Sequence, residues 1–395
     1  MVITEELMHQ INTYIESHKD EAMAFYKALV EMEGRHGEIE NLRREAEFLN
    51  KTFTEAGLES EIIEAGGASA PVIVAETNKD GSSRPIVFLA HYDTIYSSGS
   101  WNGELFRVEG DKVYGPGVTE CKGGIVMALY VIKALVSLGF KESPLRIVLA
   151  GDEEACHEGS DTVNIIREHT SNILVCFCMD ERNKNGEICI GRMGSYEYRL
   201  TSYGVSAHSG KDFDEGVNAV AELASKVVDI QALTSRGADR DFTVSVNKIY
   251  GGTAVNQIPA FAEAAVDLRV KTKSDVTKVE TRMRKICEKP AVRGAKTELE
   301  LVSAIEPFET TKPVVKAYNS LKAVSDTIQG NISRTIFSGG SSDASYVSQQ
   351  GEAVLSQCGV MGDFSHSSRE EAVISSLWEG IRLFVAAAYN WRNFI

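Results

Sequence analysis

The chain has 395 residues, enough for two ordinary domains. Hydrophobic residues make up 43% and charged residues 25%, which excludes a disordered, collagenous or coiled-coil chain. Lys and Arg number 41 against 56 Asp and Glu, a net charge of −15, so the basic surface that nucleic acid or an anionic membrane requires is missing.

Glu and His interrupt the N-terminal segment where a signal peptide needs a basic start and an unbroken apolar run. No apolar run approaches the roughly 20 residues that span a bilayer. Seven cysteines, an odd number scattered along the chain, do not make a disulfide framework. A cytoplasmic protein with reduced thiols is expected.

In chain order, residues 71–75 and 85–93 read as strands, 125–138 as a helix, and 145–151 and 173–179 as further apolar strands. Loops are expected at 66–70 and 79–83. This alternation predicts a largely parallel sheet covered by helices. A second block follows: a strand at 197–203, a helix near 219–233, strands at 242–250 and 262–272, a helix near 275–288 and a strand at 297–304. Its strands alternate polar and apolar residues, as in an antiparallel sheet with one wet face. Helices at 313–328 and 370–390 return to the first style. The expected organisation is an α/β domain, residues 1–195 and 308–395, interrupted by an inserted α+β domain, residues 196–307.

Metal-type ligands concentrate where these strands end, which is where an open α/β sheet builds its site. His91 and Asp93 are two apart on a strand and share a face. Glu120 follows a glycine-rich run, Tyr114-Gly-Pro-Gly117, just before a helix. Asp152, Glu153 and Glu154 follow a buried strand and repel one another unless positive charge lies nearby, from a metal or from salt bridges. Asp180 ends another apolar strand, and His366 precedes the last helix. Each segment alone also fits a cap, a turn or an ion pair. Together they offer about the set that two zinc ions need, with one carboxylate left to act as general base.

In order and spacing these segments resemble the co-catalytic zinc peptidases that include glutamate carboxypeptidase, acetylornithine deacetylase, succinyl-diaminopimelate desuccinylase, aminoacylase and several dipeptidases. The resemblance is also carried by Gly204-Val-Ser-Ala-His208-Ser-Gly210, Gly251-Gly-Thr-Ala-Val-Asn256, Asp267-Leu-Arg269, Gly339-Gly-Ser-Ser-Asp343 and the run from His366 to Glu370. It implies a mixed, mostly parallel sheet flanked by helices, with an inserted lid or dimerisation domain of ferredoxin-like type. It implies two divalent metal ions, zinc first, with cobalt or manganese also suited to His and carboxylate ligands. His91 and Asp180 would hold one, Glu154 and His366 the other, and Glu120 would bridge them. Glu153 would be the general base and Asp93 the partner of His91.

His208, in the inserted domain, would stabilise an oxyanion in the partner subunit of a homodimer, although alone it reads as a turn residue. Asn256 and Arg269 would contact substrate; Arg269 could equally pair with Asp267 along its strand. Two residues depart from the family pattern, Glu120 and Asp180: Glu120 stands where the family has Asp, and the cis peptide that the family carries just after it would here be Glu120–Cys121. Asp180 suits the aminopeptidase and dipeptidase branch, whereas the Tyr-Gly-Pro-Gly-Val and Gly-Gly-Thr-Ala runs suit glutamate carboxypeptidase. The implied activity is carboxypeptidase-like hydrolysis of an amide bond in a small peptide or N-acyl amino acid. The alternatives are a dipeptidase or aminopeptidase, and a silent relative that binds metal or peptide without turnover.

Overall fold

A computed structural model describes residues 3–67, 69–77, 83–237 and 240–390. Residue 68 of the first expected loop and 79–82 of the second lie outside them. The described chain forms two compact units, one of residues 1–190, 310–337 and 342–395, the other of 191–309 and 338–341.

The first unit is built on a six-stranded sheet in the order Glu59–Ile63, Val72–Glu76, Leu145–Ala150, Ile86–His91, Val175–Cys178 and Val354–Leu355. The last four strands run parallel, and the first two add on antiparallel. Ile86–His91 is buried along its whole length, as a central parallel strand covered on both faces must be. The helix Gly123–Ser137 is apolar all round and almost wholly buried, so it lies inside the unit rather than on its surface. Phe88 and Phe177 of the sheet meet Phe384 of the helix Ile374–Tyr389, with ring centroids of Phe177 and Phe384 4.8 Å apart.

Gly124 is required by this packing, because a Cβ there would lie much closer to the Met179 carbonyl oxygen than van der Waals contact allows. A smaller five-stranded sheet, in the order Arg107–Glu109, Lys112–Tyr114, Glu371–Val373, Met361–Asp363 and Arg182–Asn183, ties together the segments that lead to Glu120, His366 and Asp180.

Two features differ from the sequence reading. The helix expected at 370–390 starts at Ile374, because Glu371–Val373 pairs antiparallel with Lys112–Tyr114 and with Met361–Asp363. The Glu371 carboxylate is held there by Lys112 at 2.9 Å and by Lys184. The first 55 residues, left without assigned elements, form the helices Glu5–Val30 and Ile39–Glu55. Their signal was local: Thr4 caps the first helix by accepting the Leu7 N–H, and Ile11, Ile15, Ala22, Tyr26 and Leu29 form a buried stripe of helical period.

The second unit carries a four-stranded antiparallel sheet in the order Phe242–Gly251, Phe261–Val270, Gly194–Tyr203 and Lys296–Ile305. The helices Ala219–Gln231 and Lys273–Cys287 complete a β-α-β-β-α-β chain order, the ferredoxin-like arrangement. Phe261–Val270 alternates buried and half-buried residues, matching its polar and apolar alternation. Among the described residues, no helix is long and apolar enough to cross a membrane.

Candidate metal centre

His91 is the last residue of its strand and is 2% exposed. Its Nδ1 lies 3.1 Å from the Asp93 carbonyl oxygen and 3.3 Å from Asp93 Oδ1, and its Nε2 lies 3.4 Å from Glu120 Oε1. Asp93 is fully buried, and its carboxylate oxygens also accept the N–H groups of Glu153 (3.2 Å) and Glu154 (3.1 Å). One carboxylate thus fixes both the imidazole and the short turn that carries the acid pair.

Glu120 leaves a tight loop in which Gly117 has φ of 73°, a conformation that glycine adopts without strain. The peptide Glu120–Cys121 is cis, as the resemblance implied. Oε2 of Glu120 accepts the Glu181 N–H at 2.8 Å, joining this loop to the segment after the strand Val175–Cys178. Glu370 organises the loop from behind. Its carboxylate accepts the N–H groups of Gly117 (3.1 Å), Thr119 (2.9 Å) and Glu120 (3.2 Å), and the Tyr96 hydroxyl lies 3.0 Å away. Burial pushes this carboxyl up to about 7 against those donors.

Glu154 Oε1 meets His366 Nε2 at 3.0 Å. One ligand atom each from His91, Glu153 and Glu154 lie within 4.8 Å of one another, a group able to hold a metal ion. Glu153, expected as the base, therefore lies beside His91 and Glu154, two of the expected ligands. Asp180 is not part of this triplet. Its Oδ2 accepts the hydroxyls of Ser342 (2.7 Å) and Ser356 (3.1 Å), and Oδ1 lies 3.1 Å from Cys178 Sγ. The adjacent Asp152 also turns away, to His157, Ser69 and Thr162.

The electrostatics favour a cation. Burial, helped by Asp343, Glu154 and Asp180 against the pull of His91, pushes the Glu153 carboxyl well above the usual carboxylate range. Burial opposes charge on His91, but Asp93 and Glu120 outweigh it and raise the imidazole well above its ordinary value. The contact with Glu154 raises His366, against burial. Among the described residues, no lysine or arginine forms an ion pair with Glu120, Glu153 or Glu154. The salt-bridge account of the acid run thus finds only imidazoles at the two glutamates, His366 at Glu154 and His91 beside Glu153. A donor set of imidazoles and carboxylates suits a divalent ion of the zinc, cobalt or manganese type.

The remaining predicted residues belong to the second unit. His208 pairs with Gln257 in a two-residue ladder, and its Nδ1 accepts the N–H groups of Gly210 (3.2 Å) and Lys211 (3.1 Å). Its proton therefore sits on Nε2. Asn256 is exposed and its carbonyl accepts the Ser209 N–H at 3.1 Å. Arg269 Nε donates to both oxygens of Asp267, at 3.0 and 3.1 Å, the strand pairing that the spacing allowed. Sequence reasoning assigned no role to Glu370, Ser342, Ser356 or His157. Glu370 and Ser342 stood inside quoted motifs; for Ser356 and His157, no spacing rule pointed to their partners.

Residues 87–390 match the model of peptidase family M20/M25/M40. Carboxypeptidase G2 of Pseudomonas sp. (strain RS-16) is 24% identical over 95% of this chain and 91% of its own. A succinyl-diaminopimelate desuccinylase of Wolinella succinogenes is 25% identical over 72% of this chain and 78% of its own. Among solved structures, aminopeptidase PepT from Bacillus cereus shares the fold with a TM-score of 0.75, at 17% identity over 94% of this chain and 98% of that one. With a family match over more than three quarters of its length and strand-end histidines and acids gathered in one unit, this chain belongs to peptidase family M20/M25/M40, the metallopeptidases and amidohydrolases.

Proposed function

We propose that the protein hydrolyses the amide bond of a small peptide or N-acyl amino acid, in the manner of a carboxypeptidase. The observation that carries this is the triplet of His91, Glu153 and Glu154 with no lysine or arginine paired to either glutamate among the described residues, at the strand ends of a chain that aligns with carboxypeptidase G2 over nearly its whole length. His91 and Asp180 would hold one divalent ion, Glu154 and His366 a second, and Glu120 would lie between them. When bound, such ions polarise a carbonyl and make water a nucleophile near neutral pH.

The residues of the chain supply the proton chemistry. Glu153 takes a proton from the attacking water as its oxygen bonds to the carbonyl carbon. It then delivers that proton to the amine nitrogen as the C–N bond breaks. A carboxyl whose affinity for protons is raised by burial suits both halves of that exchange. Asp93 holds His91 and the 153–154 turn in one arrangement throughout.

The second unit completes the proposal. His208 would reach the partner subunit's site and stabilise the oxyanion there through its Nε2 proton, and Asn256 and Arg269 would contact substrate, the guanidinium its carboxylate. Ile249, Tyr250 and Phe261 stand exposed on its outer strand and the adjacent one, which supports homodimerisation through this unit. Seven free cysteines support a cytoplasmic location. Asp180 in place of a longer acid favours a dipeptidase or aminopeptidase as the second reading.

The test is a panel of N-acyl amino acids, α- and γ-glutamyl peptides and free dipeptides, assayed with zinc, cobalt or manganese beside metal analysis. Glu153→Gln should abolish turnover and leave substrate affinity nearly unchanged. About two ions per chain with no hydrolysis of any panel member would show a silent binder instead.

A further inference from the structure

The run Gly339-Gly-Ser-Ser-Asp343 has no part in the proposed chemistry, yet its last two residues touch both sides of the candidate site. Ser342 donates its hydroxyl to Asp180 Oδ2 at 2.7 Å. Asp343 Oδ1 lies 2.7 Å from His157 Nε2, and His157 Nδ1 lies 2.7 Å from Asp152 Oδ1. Asp152 is the residue before Glu153 and opens the turn that carries Glu153 and Glu154.

This line of groups is sealed from water: Asp152, His157, Ser342 and Asp343 are all 5% exposed or less. The second Asp152 oxygen accepts the hydroxyls of Ser69 (2.5 Å) and Thr162 (3.1 Å), so that both of its oxygens are engaged. Both ring nitrogens of His157 lie at hydrogen-bond distance from a carboxyl oxygen; burial opposes charge on the ring, but Asp343 and Asp152 outweigh it and raise the imidazole well above its ordinary value. The ring is clasped between the two carboxyl groups, one at each nitrogen. The backbone is bent to place it there: Cys156 and His157 have φ of 55° and 57°, in the left-handed region that residues other than glycine seldom occupy. The Asp152 carbonyl accepts the N–H groups of Ala155 and His157, which closes the turn on itself.

The 153–154 turn is therefore gripped from two sides, by Asp93 at its N–H groups and by His157 behind it. Asp343 Oδ2 is buried without a hydrogen-bond partner among the described residues, so Asp343 is not placed merely to satisfy its own oxygens.

We propose that Ser342 and Asp343 form one positioning brace, in which Asp343 acts through His157 on the turn bearing Glu153 and Glu154 while Ser342 orients Asp180. One rigid segment thereby sets the spacing of two acidic segments that come from different strands. Misplacement of such groups by about 1 Å costs on the order of 100-fold in rate, so a brace of this kind acts on turnover more than on binding. The inference rests on the hydrolase reading for its kinetic and cobalt-binding arms and is independent of it in the NMR one.

The experiment uses the full-length protein and the variants Asp343→Ala, Asp343→Asn and Ser342→Ala. Cobalt(II) affinity is measured by absorption titration, and kcat and KM are taken on the panel substrate that the wild type cleaves best. Asp343→Ala should lower kcat about 10- to 100-fold with KM within about threefold, and weaken cobalt binding about tenfold. Asp343→Asn keeps an acceptor for His157 Nε2 and should recover most of both losses. Ser342→Ala should fall in the same direction by a smaller factor.

Nitrogen-15 NMR of the metal-free wild type should show both ring nitrogens of His157 protonated at neutral pH, a readout that needs neither metal nor substrate. Wild-type cobalt affinity and kcat in Asp343→Ala, or an asparagine variant as impaired as the alanine one, would overturn the brace; so would a neutral His157 ring. Should Asp343→Ala fail to fold, Asp343→Asn and Ser342→Ala still decide: wild-type cobalt binding and kcat in Ser342→Ala would then refute it. A wild type that binds no metal and cleaves nothing refutes the hydrolase reading, while the NMR result still judges the brace.

Discussion

Replacing Glu370 by Ala removes the one acceptor shared by three backbone donors of the loop that delivers Glu120. The N–H groups of Gly117 and Thr119 are buried, and that of Glu120 is partly so. A buried donor left without a partner costs about 1–3 kcal/mol, so two full penalties and a partial one come to roughly 3–7 kcal/mol. Water entering the vacated space would reduce this, and the lower end is the safer expectation.

Glu370→Gln keeps one acceptor oxygen for Thr119 and Glu120 but turns an amide toward Gly117, for about 1–2 kcal/mol. Urea unfolding of wild type and both variants gives these differences from the midpoints at constant slope. Metal affinity measured beside it should fall further in the alanine variant than in the glutamine one, because the loop carries Glu120. A loss below about 1 kcal/mol in Glu370→Ala, with metal affinity as in the wild type, would refute the claim that this carboxylate holds the loop.

Gly124→Ala should destabilise by about 1–3 kcal/mol, toward the upper end, because the new Cβ meets backbone at Met179 rather than a yielding side chain; a differential scanning trace like the wild type's would count against it. In the second unit, the buried Glu222 accepts the Ala291 and Val292 N–H groups at 2.7 Å and pairs with Lys226 at 3.0 Å. Burial works against its charge, yet these contacts hold its carboxyl below the usual range. A lowered folded-state value gives stability that is present above the ordinary carboxyl pKa and lost as pH falls through the folded one. Glu222→Gln should therefore cost roughly 3–5 kcal/mol near neutrality and flatten the decline of melting temperature with acid, measured from about pH 6 downward. Chelation should abolish hydrolysis and lower stability by about 2.7 kcal/mol relative to protein with metal at 100 times its dissociation constant; equal melting with and without chelator would contradict a resident ion.

Periodicity by itself determined the parallel-sheet core, the alternating strands of the second block and the loops where ligands gather, because burial on one face or two writes itself directly into residue order. The motif order likewise determined the family, together with His91, Glu154, Glu120 and His366 as one neighbourhood. Other features depended on chain segments far apart in sequence. Glu371–Val373 is a strand because Lys112–Tyr114 and Met361–Asp363 offer it backbone partners, which no local pattern announces. Glu153 and Glu154 turn toward His91 while Asp152 turns away, although all three read alike, because His157, Ser69 and Thr162 claim the first and the N–H groups of the other two are held by Asp93. Which acid faces a metal is decided by what else its neighbours can satisfy, and those neighbours are brought together only when the chain is folded.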